Sequence, residues 1–381
     1  CLLKFQKMEW NRYQLNQQEL EVQQVMRVNR EEGVYPSYYP CADFMRSAGI
    51  LEDVQSLISR AGLSDFVEGE PRQYVKLTMS FVQDFKFNWS RSNPTVQYKI
   101  YNKAVNLPFS DFCAAIRVPQ WGSCEKIRGS PQELLSLFKM ICYGRSFSED
   151  GGKITSIQLP AIRYFAYFIT KCVLARKNGG KLSIQDLAFL AAALQGSKTY
   201  NLGALIAYRL ATNREKGGIC GGLIASRLLA FHNVEPHHFD IPFPIEKLDI
   251  ASMIKHEFVS DSSNLGNLFY KMTFYKKTWR LTKKTEKLVR LPAPVLFNLD
   301  SREDWSVTEG ALNAHIEGGG HHARDNTEEA EEHLDSSSDA ASSSHQHFGH
   351  VEPSPFSSAP GPYYDHAMYD PPAWNPDPRW G

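Results

Sequence analysis

The stretch with the clearest chemical potential runs from Lys271 to Arg290. Lys271, Lys276, Lys277, Arg280, Lys283, Lys284, Lys287 and Arg290 set eight positive charges against Glu286 alone, and Phe274, Tyr275 and Trp279 are interleaved among them. Cations neutralise phosphates and aromatic faces stack on unpaired bases, the combination on which single-strand binding relies. Read as an amphipathic helix, the segment gathers Lys276, Lys277, Arg280, Lys283, Lys284 and Lys287 on one broad face. The candidate nucleic-acid-binding residues are Lys276, Lys277, Trp279, Arg280, Lys283, Lys284, Lys287 and Arg290, with Trp279 as the stacking group. Two blander readings stand beside this one: a solvated helix whose aromatics pack on the body, and a basic helix lying on a membrane surface.

No catalytic residues can be nominated. The chain has no Asp-Thr/Ser-Gly triplet, no Asp-Asp pair, no GxxxxGK[ST] phosphate loop and no GxSxG elbow. Gly217-Gly218 and Gly221-Gly222 flank Ile219-Cys220, but they follow a helical pattern and lack the lysine, so a helix-to-helix connector is expected. Seven cysteines without a CxxC pair give neither a disulfide framework nor zinc-site spacing, which points to a reducing compartment, nucleus or cytoplasm. His232, His237 and His238 read as linker residues rather than metal ligands, and no metal or cofactor is expected. Arg209 and Arg227 fall within the apolar stripes of their helices. They are read as structural, their heads reaching Asp186, Glu215 or solvent, rather than as phosphate-facing groups.

Charge is divided unevenly along the chain. The 42 basic and 42 acidic residues cancel overall, but Asp300 to Gly381 holds 16 acidic and 3 basic, a net of −13, leaving +13 on residues 1–299. A basic body joined to an acidic tail suits a polyanionic partner, with the tail as an internal competitor. The tail holds Gly318-Gly319-Gly320, serine clusters, many prolines and eight of the twelve histidines, with few aliphatic residues; disorder is expected. The longest apolar run is the eight residues Leu187 to Leu194, against roughly 20 needed to span a bilayer, so no membrane association is expected. The sequence opens on Cys1, which reads as a fragment or a conceptual gene product, and no signal peptide is visible.

The elements that must position the basic segment are mostly helical. Ile50, Val54, Leu57, Ile58 and Ala61 form one stripe closed by Gly62, and a second helix is expected from about Pro71 to Val82. Val96, Tyr98 and Ile100 alternate with polar residues before a turn at Asn102-Lys103, a small β-hairpin. Ser130-Pro131-Gln132-Glu133 opens another helix. Around Ile162 to Val173 every face is apolar, as for a helix in the middle of a bundle. Ser183 with Asp186 makes a capping box before Leu187, and helices near Leu202 to Arg214 and Gly222 to Phe231 follow, which short loops would make antiparallel neighbours. The fold class expected is mainly α: a compact multi-helix domain with a small β-hairpin, plus a disordered C-terminal tail. Its parts would be a polar, marginally helical segment at 1–34, a helical domain at 35–245, a basic amphipathic arm at 246–299 and the acidic tail at 300–381.

Two stretches resemble a plant retroelement family. Ile162-Arg163-Tyr164-Phe165 through Lys181-Leu182-Ser183-Ile184-Gln185-Asp186-Leu187, and Tyr200-Asn201-Leu202-Gly203 through Gly221-Gly222-Leu223-Ile224, are similar in order and spacing to Athila-type LTR retrotransposons, in their first open reading frame. Gly49-Ile50 with Val54, Tyr74-x-x-Leu77 and Leu107-Pro108-Phe109 with Phe112 add to it, over roughly residues 35–245. The resemblance implies a gag-like, non-enzymatic protein that self-associates and assembles around single-stranded RNA or another nucleic acid, with no small-molecule substrate. Unlike many gag proteins, the chain has no zinc knuckle. The alternatives left open are a protein-interaction module, in which the basic arm pairs with the acidic tail, and an inert retroelement remnant.

Overall fold

The structure, a computed structural model, describes residues 34–90, 92–122, 131–142, 147–148, 151–176, 179–213, 219–277, 282–301, 305–317, 325–326 and 331–332. Every described residue belongs to one unit, which lies within Cys1–His333. The N-terminal segment before Val34, Ser130, Trp279, Arg280 and most of the acidic tail lie outside the described residues.

A short strand, β1 (Val34–Tyr35), leads to α1 (Ala42–Ser47) and α2 (Leu51–Arg60). α2 buries the expected stripe of Val54, Leu57 and Ile58. Gly62 follows at φ +68°, where a Cβ would lie 2.3 Å from the Trp121 ring. After the single turn of α3 (Ser64–Val67) comes α4 (Val75–Asp84), which starts at Val75 and not at Pro71. A distant cap sets that start: the Lys76 and Leu77 amides donate to the Asp240 carboxylate at 2.8 Å each, satisfying first-turn N–H groups that have no partner within the helix.

The expected hairpin is present as β3 (Thr95–Ile100) and β4 (Lys103–Pro108), extended by β2 (Lys86–Asn88) into a three-stranded antiparallel sheet. Val96, Tyr98 and Ile100 point into the core as their alternation requires, but the turn falls at Tyr101-Asn102, with Tyr101 at φ +52°. α5 (Phe109–Ile116) and α6 (Pro131–Ile141) follow, and β5 (Gly152–Lys153) pairs with β6 (Lys181–Leu182). Between those two strands runs α7 (Pro160–Tyr167), continued by a π-helical stretch from Phe168 to Val173. Every residue of both is buried, as an element apolar on all faces must be.

α8 (Leu187–Gln195), α9 (Leu202–Asn213), β7 (Ile219–Cys220) and α10 (Gly222–Phe231) complete the helical body. The capping box forms reciprocally, with Ser183 N donating to Asp186 at 2.6 Å and Asp186 N to Ser183 Oγ at 3.3 Å. Two expectations change here. Ile219-Cys220 is a strand paired in parallel with β1, not a plain connector. The main packing partners are not consecutive helices: α7 and α8 lie against α2, α8 also against α6, and α10 against α4 and α5. An all-apolar α7 needs cover on every side, and the N-terminal helices supply it.

α11 (Ile250–Lys255), capped by Asp249 accepting from Ser252 N at 2.9 Å, and α12 (Glu309–Glu317) bracket a long hairpin. One hydrophobic core runs continuously from Tyr39 to Leu312. With twelve α-helices and several small sheets among the described residues, the fold is mixed α/β rather than mainly α. The difference arises chiefly after Lys255, where the sequence was read as an arm.

Candidate nucleic-acid interface

The basic segment is a β-hairpin and not a helix. β8 (Leu268–Lys277) and β9 (Thr282–Leu291) pair antiparallel through ten rungs, from Leu268 opposite Leu291 to Lys277 opposite Thr282. Two forces override the helical spacing of the lysines. Leu268, Tyr270, Met272 and Phe274 are buried at a period of two, with Val289 and Leu291 on the facing strand. The backbone of β8 is also held from its other side, Lys271 N donating to Phe258 O at 3.0 Å and Ser260 N to Phe269 O at 2.8 Å.

The hairpin's root is clamped by the all-apolar helix. Arg163, wholly buried in α7, donates to the carbonyls of Thr155 and Lys271 at 2.7 Å and of Ile157 at 2.8 Å, and its guanidinium lies 4.5 Å from the centroid of the Tyr270 ring. Gln158 Nε2 reaches Thr273 O at 3.0 Å, and the Tyr270 hydroxyl donates towards the carbonyls of Ile157 and Gln158. Three neutral carbonyls thus solvate a buried cation, and β8 is tied to the core from Phe269 to Thr273. Arg163 stood in the family motif but was not singled out as functional. A lone arginine in a helix apolar on every face was the available signal.

Strand pairing redistributes the candidate residues. Along the hairpin Tyr275 stands opposite Lys284, Lys276 opposite Lys283 and Lys277 opposite Thr282, so three successive rungs hold four lysines and a tyrosine. Like charges directly opposite each other are unfavourable by up to about 1 kcal/mol, a cost that a polyanion removes. Because strand residues alternate faces, cations spaced for a helix cannot share a single face here. Lys287 Nζ donates to Asn313 Oδ1 of α12 at 2.8 Å, while Arg290 is exposed. Trp279 and Arg280, between the strands, lie outside the described residues.

On the other edge of β9 two short strands from the acidic tail add to the sheet. β10 (Asp325–Asn326) sets Asp325 opposite Lys287, and β11 (Glu331–Glu332) sets Glu331 opposite Lys283, both antiparallel. These two strands depart from the disorder expected of the tail.

The remaining polar candidates are structural. Arg209 reaches Asp186 at 3.3 Å and also Ser183, and Arg176 pairs with the same buried carboxylate. Arg227 takes backbone carbonyls as its partners, and Glu215 lies outside the described residues. It donates to the carbonyls of Ile116 (2.8 Å), Phe66 and Glu68, its head 4.7 Å from the Phe66 ring centroid, and burial with Arg117 nearby lowers its pKa to about 10. His232 bonds to the Tyr98 hydroxyl at 2.8 Å, and His237 stacks on Tyr101 with centroids 3.7 Å apart. Among the described residues no three His, Cys, Asp or Glu side chains converge as a metal site, and no helix is long and apolar enough to cross a membrane.

The fold and site together define a mixed α/β domain with a core-anchored, lysine-rich hairpin. The chain belongs to the ATHILA ORF-1 family, whose model matches residues 5–202, just over half of its length. The match covers the Ile162 to Leu187 motif and ends at Leu202, so the second stretch of the resemblance from Gly203 onward and the β8–β9 hairpin lie beyond it. No curated protein and no solved structure matches the chain.

Proposed function

We propose that this chain is a non-enzymatic, gag-like protein of retrotransposon origin that binds single-stranded nucleic acid through the β8–β9 hairpin, associates with copies of itself, and works in the nucleus or cytoplasm. Membership of the family supports the retrotransposon origin and the gag-like role. The observation that carries nucleic-acid binding is the run of three rungs holding Tyr275, Lys276, Lys277, Lys283 and Lys284. Four cations concentrated beside an aromatic residue suit a flexible polyphosphate chain with unpaired bases. Anchoring by Arg163 and Gln158 gives the hairpin a fixed base from which to present them. Binding of this kind requires no metal or cofactor.

Fluorescence anisotropy of the full chain with labelled oligouridylate across a salt series tests this. A single-strand contact contributes about −0.7 to the logarithmic salt slope, so changing Lys276, Lys277, Lys283 and Lys284 to alanine should flatten it by up to about 2.8. A slope unchanged by the four substitutions overturns the assignment to the hairpin. Sedimentation velocity over a concentration series checks self-association, and a monomer at all concentrations refutes it.

A further inference from the structure

From the pairing of β10 and β11 with β9, we propose that the β9 edge is a strand-addition site for an acidic extended segment, and that the chain's own Asp325–Asn326 and Glu331–Glu332 fill it. β9 lies inside a sheet, with β8 on one side and the two acidic strands on the other. An edge strand offers a row of backbone N–H and C=O groups that an extended peptide can satisfy. Charge selects the occupant. β9 carries Lys283, Lys284, Lys287 and Arg290 against Glu286, and residues 325–332 contribute Asp325, Glu328, Glu329, Glu331 and Glu332 with no cation. In the backbone register Asp325 falls opposite Lys287 and Glu331 opposite Lys283, so both acidic strands are in register with β9 lysines.

The launch point is held close by. α12 is fixed to β9 through Lys287–Asn313 and buries Leu312 in the core, and seven residues, 318–324, join its end to β10. A short tether of this length gives an effective local concentration of about a millimolar. If the untethered segment binds with a Kd near ~100 μM, tethering leaves the edge occupied about nine-tenths of the time. A competitor that needs the same lysines is then weakened about tenfold. For nucleic acid as that competitor, the inference rests on the function proposed above; the closed edge itself does not.

Two full-length variants separate pairing from charge. Glu331→Pro with Glu332→Pro and Glu331→Gln with Glu332→Gln remove the same two charges. Only the prolines remove a ladder donor, because successive N–H groups along a strand point to opposite edges and one of the two faces β9. Amide hydrogen exchange over Thr282 to Lys287 should rise in the proline variant and stay slow in the glutamine variant. A labelled peptide of residues 321–335 should bind the proline variant in trans and the wild-type chain at least tenfold more weakly. Equal exchange in the two variants, or no peptide binding by the proline variant, overturns the site. Oligouridylate should bind the proline variant about tenfold more tightly than the glutamine variant, and equal measurable affinities overturn the competition. Lost protection and peptide capture with no oligouridylate binding by either variant uphold the strand-addition site and instead remove the nucleic-acid function.

Discussion

Replacing Arg163 by methionine tests how the hairpin is held. Methionine keeps much of the aliphatic volume but strips the donor from three carbonyls, those of Thr155, Ile157 and Lys271. A buried acceptor left without its partner costs about 1–3 kcal/mol. The bonds to Thr155 and Lys271 are only partly buried, and Ile157 O retains the Tyr270 hydroxyl at 3.2 Å, so the low half of the range applies to each. The sum is a loss of about 3–6 kcal/mol, a large share of the 5–15 typical of a folded chain. With a urea m-value of about 3 kcal/mol/M, the midpoint of unfolding should fall by about 1–2 M. Arg163→Lys keeps the charge but can serve fewer of the three carbonyls, and should fall between. Because one of the three bonds ends on Lys271, hydrogen exchange over Leu268 to Met272 should accelerate more than exchange in α5, remote from the clamp in sequence. A methionine variant within about 0.5 kcal/mol of wild type, or with unchanged exchange in β8, would refute the idea that this guanidinium anchors the arm.

Other perturbations have equally definite outcomes. His256 stacks on Tyr167 with Nε2 buried and unpartnered among the described residues, and burial, then Lys171 and Lys255, lower its pKa to about 4. The unfolded chain, with a histidine near 6.5, therefore binds more protons between those values, so this residue's contribution to stability is lost as pH falls from about 6.5 to about 4. His256→Phe should flatten the urea midpoint across that window, and an unchanged slope would discount the imidazole. Asp186→Asn leaves Arg176 and Arg209 without their shared buried carboxylate and should cost about 3–5 kcal/mol by urea denaturation. Asp240→Ala uncaps α4 and should cost about 1–2 kcal/mol, with faster exchange of the Lys76 and Leu77 amides.

Much of the body was legible from local pattern. The stripe of α2, the alternation of β3, the capping box before α8 and the all-apolar α7 are decided by neighbours within a few residues, and periodicity reports them directly. The family, too, was legible as a resemblance in the order, spacing and identity of residues such as those from Ile162 to Leu187. The contrast of a basic body with an acidic tail needed only the order of residues. Tertiary structure alone decided the rest. The lysines from Lys276 to Lys287 recur at helical intervals, and they compete with a two-residue apolar repeat at Leu268, Tyr270, Met272 and Phe274. Burial against Phe258 and the carbonyl clamp of Arg163 settles that competition for the strand, because side-chain burial and backbone pairing outweigh the small gain from arranging charges on one helical face. In the same way α4 starts at Val75 because Asp240 arrives from far along the chain, and Asp325–Asn326 and Glu331–Glu332 become strands because β9 offers an edge of opposite charge. Each of these depends on a partner that proximity in sequence does not reveal.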